Sequence, residues 1–207
     1  MSSPVPLTGL TATDLPSELS ALRRLGEAGF RLAPLRVLPA AAEETFYRLN
    51  NLPAQLSALF RGVDLSNPDE DDIEELAPEA QRLIRAHFLL DEFVDLFYAG
   101  LSGLPAQLRL RRPNTVPEVH SGRVVTRGRP ALLALKDTWA DDWSFDALLA
   151  RTTSFGSIAL AAQPVLIAPP AQGDVGDAEA GRASSLLQRR VRLLGDPELG
   201  LTGVRFL

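Results

Sequence analysis

Across residues 108–168 the hydrophobic pattern changes period, and that change confines the chain to folds that mix strands with helices. Over residues 107–112, Leu108 and Leu110 alternate with Arg109 and Arg111, the period of two that a half-buried strand requires. A hairpin punctuated by Pro and Gly follows. Residues 119–127 (VHSGRVVTR) then predict a second strand, with Gly122 as a bulge. Residues 129–139 and 145–151 read as helices broken around Asp141 and Asp142. Residues 158–168 (IALAAQPVLIA) are nearly all apolar and predict a buried strand interrupted by Pro164.

The N-terminal half is mainly helical. Residues 1–13 predict a flexible lead-in. A helix is expected over residues 17–29, capped by Asp14 or Ser17, with Leu19, Leu22 and Leu25 on one face and Gly29 at its C′ position. Residues 31–38 suit a short edge strand containing Pro34, and helices follow from Pro39 and over residues 53–61. The run DLSNPDEDDIEE at residues 64–75 holds seven acidic side chains. It lacks the glycine and the closing glutamate of a calcium loop, so it reads as an acidic, helix-capping turn. Pro78 is expected at the N1 position of a helix over residues 78–98, whose apolar stripe includes Leu83, Phe88 and Phe97.

Residues 169–183, rich in Pro, Gly, Asp and Ala, predict a flexible loop. Residues 184–207 then form a hairpin or an arm, with residues 186–194 pairing with residues 202–207 across the GDPELG turn. The domain proper is expected to span residues 14–168.

The chain has 207 residues, no cysteine and a net charge of −5, which argues against a general nucleic-acid binder and against disulfides or thiolate metal sites. No apolar run approaches the roughly 18–20 residues of a bilayer span, and the first residues lack a signal-peptide pattern, so a cytoplasmic protein with no membrane partner is expected. Against that acidic background, residues 107–129 hold six arginines and one acid, Glu118. Guanidinium forks match phosphate oxygens, so this segment is the candidate anion site. A hairpin face answering the acidic run at residues 64–75 explains the same arginines without a ligand. Nucleophilic catalysis finds little: no cysteine, no nucleophile elbow, and two histidines, His87 and His120. Trp139 and Trp143 suit a core.

Two segments carry a family resemblance. In residues 10–39, LTATDLPSELSALRRLGEAGFRLAPLRVLP, the pairs Ala28-Gly29 and Ala33-Pro34 occupy places where the nucleotide-binding domain of phosphoenolpyruvate synthase and pyruvate phosphate dikinase has an Ala-Gly step and a Val-Pro-Pro-Gly-Phe strand. In residues 108–168, Leu110-Arg111-Arg112-Pro113 resembles that family's Val-Arg-Ser-Ser strand. Ser121-Gly122 resembles its Ala-Gly turn, ALLALKDTW its Trp-bearing helix, and Ala162-Gln163-Pro164-Val165 its Val-Gln strand end. The resemblance covers about 90 residues in matching order.

It implies an α+β fold, a small mainly antiparallel sheet with packed helices, like the first lobe of the dikinase ATP-binding domain. It also implies a phosphate-contacting role for Arg111, matches Arg151 to an arginine that follows the family's Trp-bearing helix, and implies ATP with Mg as the cofactor; the local arginine excess adds Arg109, Arg112 and Arg123 as further candidate nucleotide or phosphate ligands. Departures are large. The family's phosphate-binding lysine falls on Glu18, and its glycine turn on Pro16 and Ser17. No counterpart of the second lobe's metal-binding carboxylates is found in residues 169–207, so no catalytic or metal-ligating residue is assigned. The expectation is a non-catalytic relative that keeps weak ATP or phosphate binding. Two alternatives stand beside it: an ATP-dependent phosphotransferase component completed by a partner chain, and a nucleic-acid-associated protein using the arginine hairpin. The expected partners are a nucleotide or phosphorylated small molecule, and a protein.

Overall fold

The computed structural model describes residues 2–10, 15–114 and 124–207. Helix α1, Ser17–Glu27, buries Leu19, Leu22 and Leu25 along the predicted face. It ends as its glycines dictate: Gly29 takes φ +86°, and the Phe30 amide reaches back to the Leu25 carbonyl at 3.0 Å. The chain then serves two sheets in succession. The Ala33 amide donates to the Leu201 carbonyl, and strand β1, Arg36–Leu38, joins a separate ladder. Helices α2 (Ala40–Leu49), α3 (Leu52–Leu59), α4 (Glu70–Ala86) and α5 (Asp91–Gly100) follow. After them come strands β2 (Gln107–Arg111) and β3 (Val124–Thr126), helices α6 (Arg129–Asp141) and α7 (Phe145–Phe155), and strand β4 (Val165–Ala168). The chain closes with β5 (Gly173–Asp174), α8 (Asp177–Leu187), β6 (Val191–Asp196) and β7 (Gly200–Phe206).

The fold is α+β with two small antiparallel sheets, one ordered β1-β4-β2-β3 and the other β5-β6-β7. In the first, Leu110 lies opposite Ile167 and Arg111 opposite Leu166, so the apolar strand β4 sits between β1 and the arginine-bearing β2. Burial on both faces explains its continuous apolar run. One face, carrying Leu38, Leu108, Leu110, Val165 and Ile167, packs on α2 to α7 around Phe46, Phe93, Phe97 and Trp139. The other face, carrying Val37, Leu166 and Ala168, packs on α1, α8 and the second sheet.

The long expected helix over residues 78–98 is two helices. Helix α4 starts eight residues before Pro78, where the Asp69 carboxylate accepts from the Asp71 amide and Glu70, Asp71 and Asp72 face the positive end of the helix dipole. Ile73, inside the acidic run, is fully buried and in register with Ala77, Ala80 and Ile84. That stripe holds the helix through Pro78, whose lost hydrogen bond and ring kink a helix without always ending it. The helix stops at His87, and Lys136 of α6 donates to the carbonyls of Arg85 and His87 there.

Three further expectations differ from the structure. The lead-in is pinned: Val5 and Val37 exchange backbone hydrogen bonds of 2.9 and 2.8 Å, and Leu7 is buried. The expected loop at residues 169–183 contains β5 and most of α8, because Ala183 has a pocket in the second core to fill. The strand expected over residues 158–168 is reduced to β4. Residues 158–164 run ahead of it without a ladder partner, beyond the reach of β1 and β2. The C-terminal hairpin has β6 paired with β7, Leu193 opposite Val204, after a helix rather than a loop. Asp14, the Gly122 bulge, Glu118, His120, Ser121 and Arg123 lie outside the described residues.

Candidate functional site

The candidate site begins at the C-terminal end of β2. Consecutive side chains of a strand point to opposite faces, so Arg111 and Arg112 enter different cores. Arg111 turns toward α1 and grips Glu18 with both terminal nitrogens, Nη1 to Oε2 at 2.7 Å and Nη2 to Oε1 at 2.5 Å. The same carboxylate accepts from the Asn114 amide at 2.8 Å and the Val204 amide at 3.1 Å. Asn114 in turn accepts from the Glu18 amide and the Ser17 hydroxyl at the start of α1. Four donors thus converge on one buried carboxylate and tie α1, β2 and β7 together. Such satisfaction is what permits a charge to be buried.

Arg112 turns toward the helical core. Its Nη2 donates to Glu43 of α2 at 2.6 Å and also to Asp142, its Nε donates to Asp142 at 3.0 Å, and its Nη1 donates to the Gln163 carbonyl at 2.5 Å. Glu43 closes the loop by accepting from the Gln163 amide at 2.9 Å. Burial pushes the Glu43 carboxyl above its ordinary range, a push that Arg112 opposes and Asp142 reinforces. Burial alone would lower the Arg112 pKa, but the two carboxylates raise it. These directions agree: one guanidinium serves two anions, so the cation is over-supplied and the more deeply buried anion under-supplied.

Arg151 joins this second network. Its Nη1 donates to the Asp142 carbonyl at 2.5 Å and its guanidinium lies 5.0 Å from the Trp143 ring centre. Burial lowers its pKa. Arg109, two residues before Arg111 on the same side of β2, is also buried, and burial together with the charge of Arg111 lowers its pKa. The five arginines read from the sequence therefore divide: Arg109 and Arg111 against one core, Arg112 and Arg151 against the other, with Arg123 outside the described residues. Among the described residues, Arg111 pairs with Glu18, and Arg112 with Glu43 and Asp142, rather than with the acidic run at residues 64–75.

Sequence reasoning missed the carboxylates that complete the site. The signal was present in helical register: Glu18 shares a face with Leu22 and Leu25, and Glu43 shares one with Phe46 and Tyr47. A carboxylate inside an apolar stripe demands a buried partner.

The residues present do not suit ATP with Mg. The guanidinium that would meet phosphate is already bound on both terminal nitrogens by Glu18, and among the described residues no three acidic or histidine side chains converge to hold a metal ion. Among the same residues, no helix is long and apolar enough to cross a membrane. No family model matches the chain, and no curated protein matches it.

Proposed function

We propose that the chain is a non-catalytic relative of the first lobe of the phosphoenolpyruvate synthase and pyruvate phosphate dikinase nucleotide-binding domain, in which an internal carboxylate stands where that family holds phosphate. The Glu18–Arg111 pair carries this reading. The two positions lie 93 residues apart, and the resemblance assigns both of them to contact with nucleotide phosphates. Side chains that once served one phosphate must lie close together, and these two meet at 2.5 Å. Exchange of the expected lysine for glutamate supplies the negative charge that a phosphate would bring. Arg111 then keeps an anionic partner with no ligand bound, and the lobe keeps its fold without its substrate.

Thermal unfolding with and without ATP–Mg²⁺ tests this reading, since a ligand of the folded state must raise Tm. The wild-type chain should show no shift at millimolar ligand. A wild-type shift that disappears in Arg111→Ala would overturn the proposal and favour a working phosphotransferase component completed by a partner chain.

A further inference from the structure

Beside the Arg112 network, a cleft opens between the α2–α3 corner and residues 157–162. It has two halves, of about 410 Å³ and about 380 Å³, which share Tyr47, Pro53 and Leu160. The larger half is apolar, with Leu56, Phe60, Trp143 and Ile158 in its walls. The smaller half is also mostly apolar, and Glu43, Glu44, Arg48 and Asn51 border it. Both volumes fall in the range of small-molecule sites, and an apolar chamber with a few directed polar groups is the usual form of such a site.

Tyr47, at the junction, defines the chemistry. Its hydroxyl accepts from Trp143 Nε1 at 2.8 Å, and among the described residues its own proton meets no acceptor. Burial, with the nearby Glu43 carboxylate, raises its pKa, so it stays a donor. On the opposite wall Leu160 and Ala162 line the cleft, and the backbone amides and carbonyls of residues 160–162 make no hydrogen bond within the described residues.

We infer that this cleft binds a neutral, amide-bearing molecule with an apolar body, the body in the Phe60–Trp143 half and the amide oxygen on the Tyr47 hydroxyl. An amide both accepts and donates, and so matches Tyr47 and the open backbone together. An ammonium group can pair with Glu43 and Glu44 but leaves the Tyr47 proton without an acceptor. A carboxylate there faces Glu43 and Glu44, and gains only Arg48. The inference stands on the cleft alone and does not depend on the nucleotide-lobe reading.

The test is calorimetric titration of the full chain with three probes that share a phenylpropyl body: hydrocinnamamide, hydrocinnamate and phenylpropylamine. The amide should bind saturably, and the charged probes roughly tenfold more weakly or worse. Tyr47→Phe should weaken the amide roughly five- to tenfold, the worth of one neutral hydrogen bond. That variant also removes the acceptor of Trp143, so Ser57→Phe, at an exposed α3 position on the rim of the apolar half, provides an independent check by filling the chamber and abolishing binding. No saturable binding of the amide at millimolar concentration overturns the inference. So does a charged probe binding as tightly as the amide, or an unchanged affinity in Ser57→Phe.

Discussion

Arg111 and Arg112 are adjacent in sequence, yet the sheet sends them to opposite cores, where their carboxylate partners meet different conditions. Glu18 faces one guanidinium that it shares with no second carboxylate among the described residues, and two backbone amides complete its shell. Glu43 shares its guanidinium with Asp142 and gains one amide, from Gln163. Both carboxylates are almost fully buried, at 1% and 2% exposure, so solvent does not make up the difference. The comparison teaches that the number of donors per anion decides how well a buried charge is tolerated. On the α1 side the ratio is generous. On the helical side one cation holds two anions, and burial raises the pKa of the deeper one.

Removing the shared cation should have the largest effect. Arg112→Met strands Glu43 and Asp142, and loss of one partner from a buried pair costs about 3–5 kcal/mol, read as a lower urea midpoint at neutral pH. Glu18→Gln keeps the shape but sets an amide nitrogen against donors, and should cost about 1.5–3 kcal/mol, the worth of a hydrogen bond to a charged group. The double variant Glu18→Leu with Arg111→Met should recover part of this loss. The remainder belongs to the Asn114 and Val204 amides, left without their acceptor. Full recovery would mean that the amides contribute nothing to the contrast between the two sites.

The pH dependence sharpens the same contrast. Glu43 has a folded pKa above its ordinary 4.5, so the folded state binds that proton more tightly than the unfolded chain. Its contribution to stability is complete below the ordinary value and is lost as pH rises through the raised folded value. The stability of the wild-type chain relative to Glu43→Gln should therefore fall as pH rises above the ordinary 4.5, measured as paired urea midpoints. A difference that grows with pH would show that Arg112 outweighs burial. The smallest effect belongs to Lys136, which closes the end of α4 through the Arg85 and His87 carbonyls. Lys136→Met should cost about 0.5–1 kcal/mol, a loss comparable to a cation at a helix C-terminus.

Much of this arrangement was legible in the residues. The alternation at Leu108–Leu110 marked β2, the apolar run ending at Ala168 marked β4, and Gly29 marked the end of α1. Each is a local signal with one physical meaning. Pro78 was misleading because a proline reads the same at N1 and within a helix until the buried stripe from Ile73 to Ile84 is known. Residues 169–183 were misleading for a similar reason: their composition is that of a loop, but Ala183 has a core to enter. At the candidate site the arginines were visible as an excess of charge. Their partners were not, because Glu18, Glu43 and Asp142 lie 93, 69 and 30 residues away along the chain from the arginines they bind.

The sequence by itself determined α1, β2, β4 and the helical character of the segments between β1 and β2, through periodicity, and that guanidinium groups crowd the end of β2. Only the tertiary structure decided what those groups do. Strand alternation sends Arg111 and Arg112 to opposite sides, and the packing of α1 and α2 brings a carboxylate to each before any ligand can. Secondary structure follows from neighbours a few residues apart, whereas the state of a buried charge depends on which distant groups the fold closes around it.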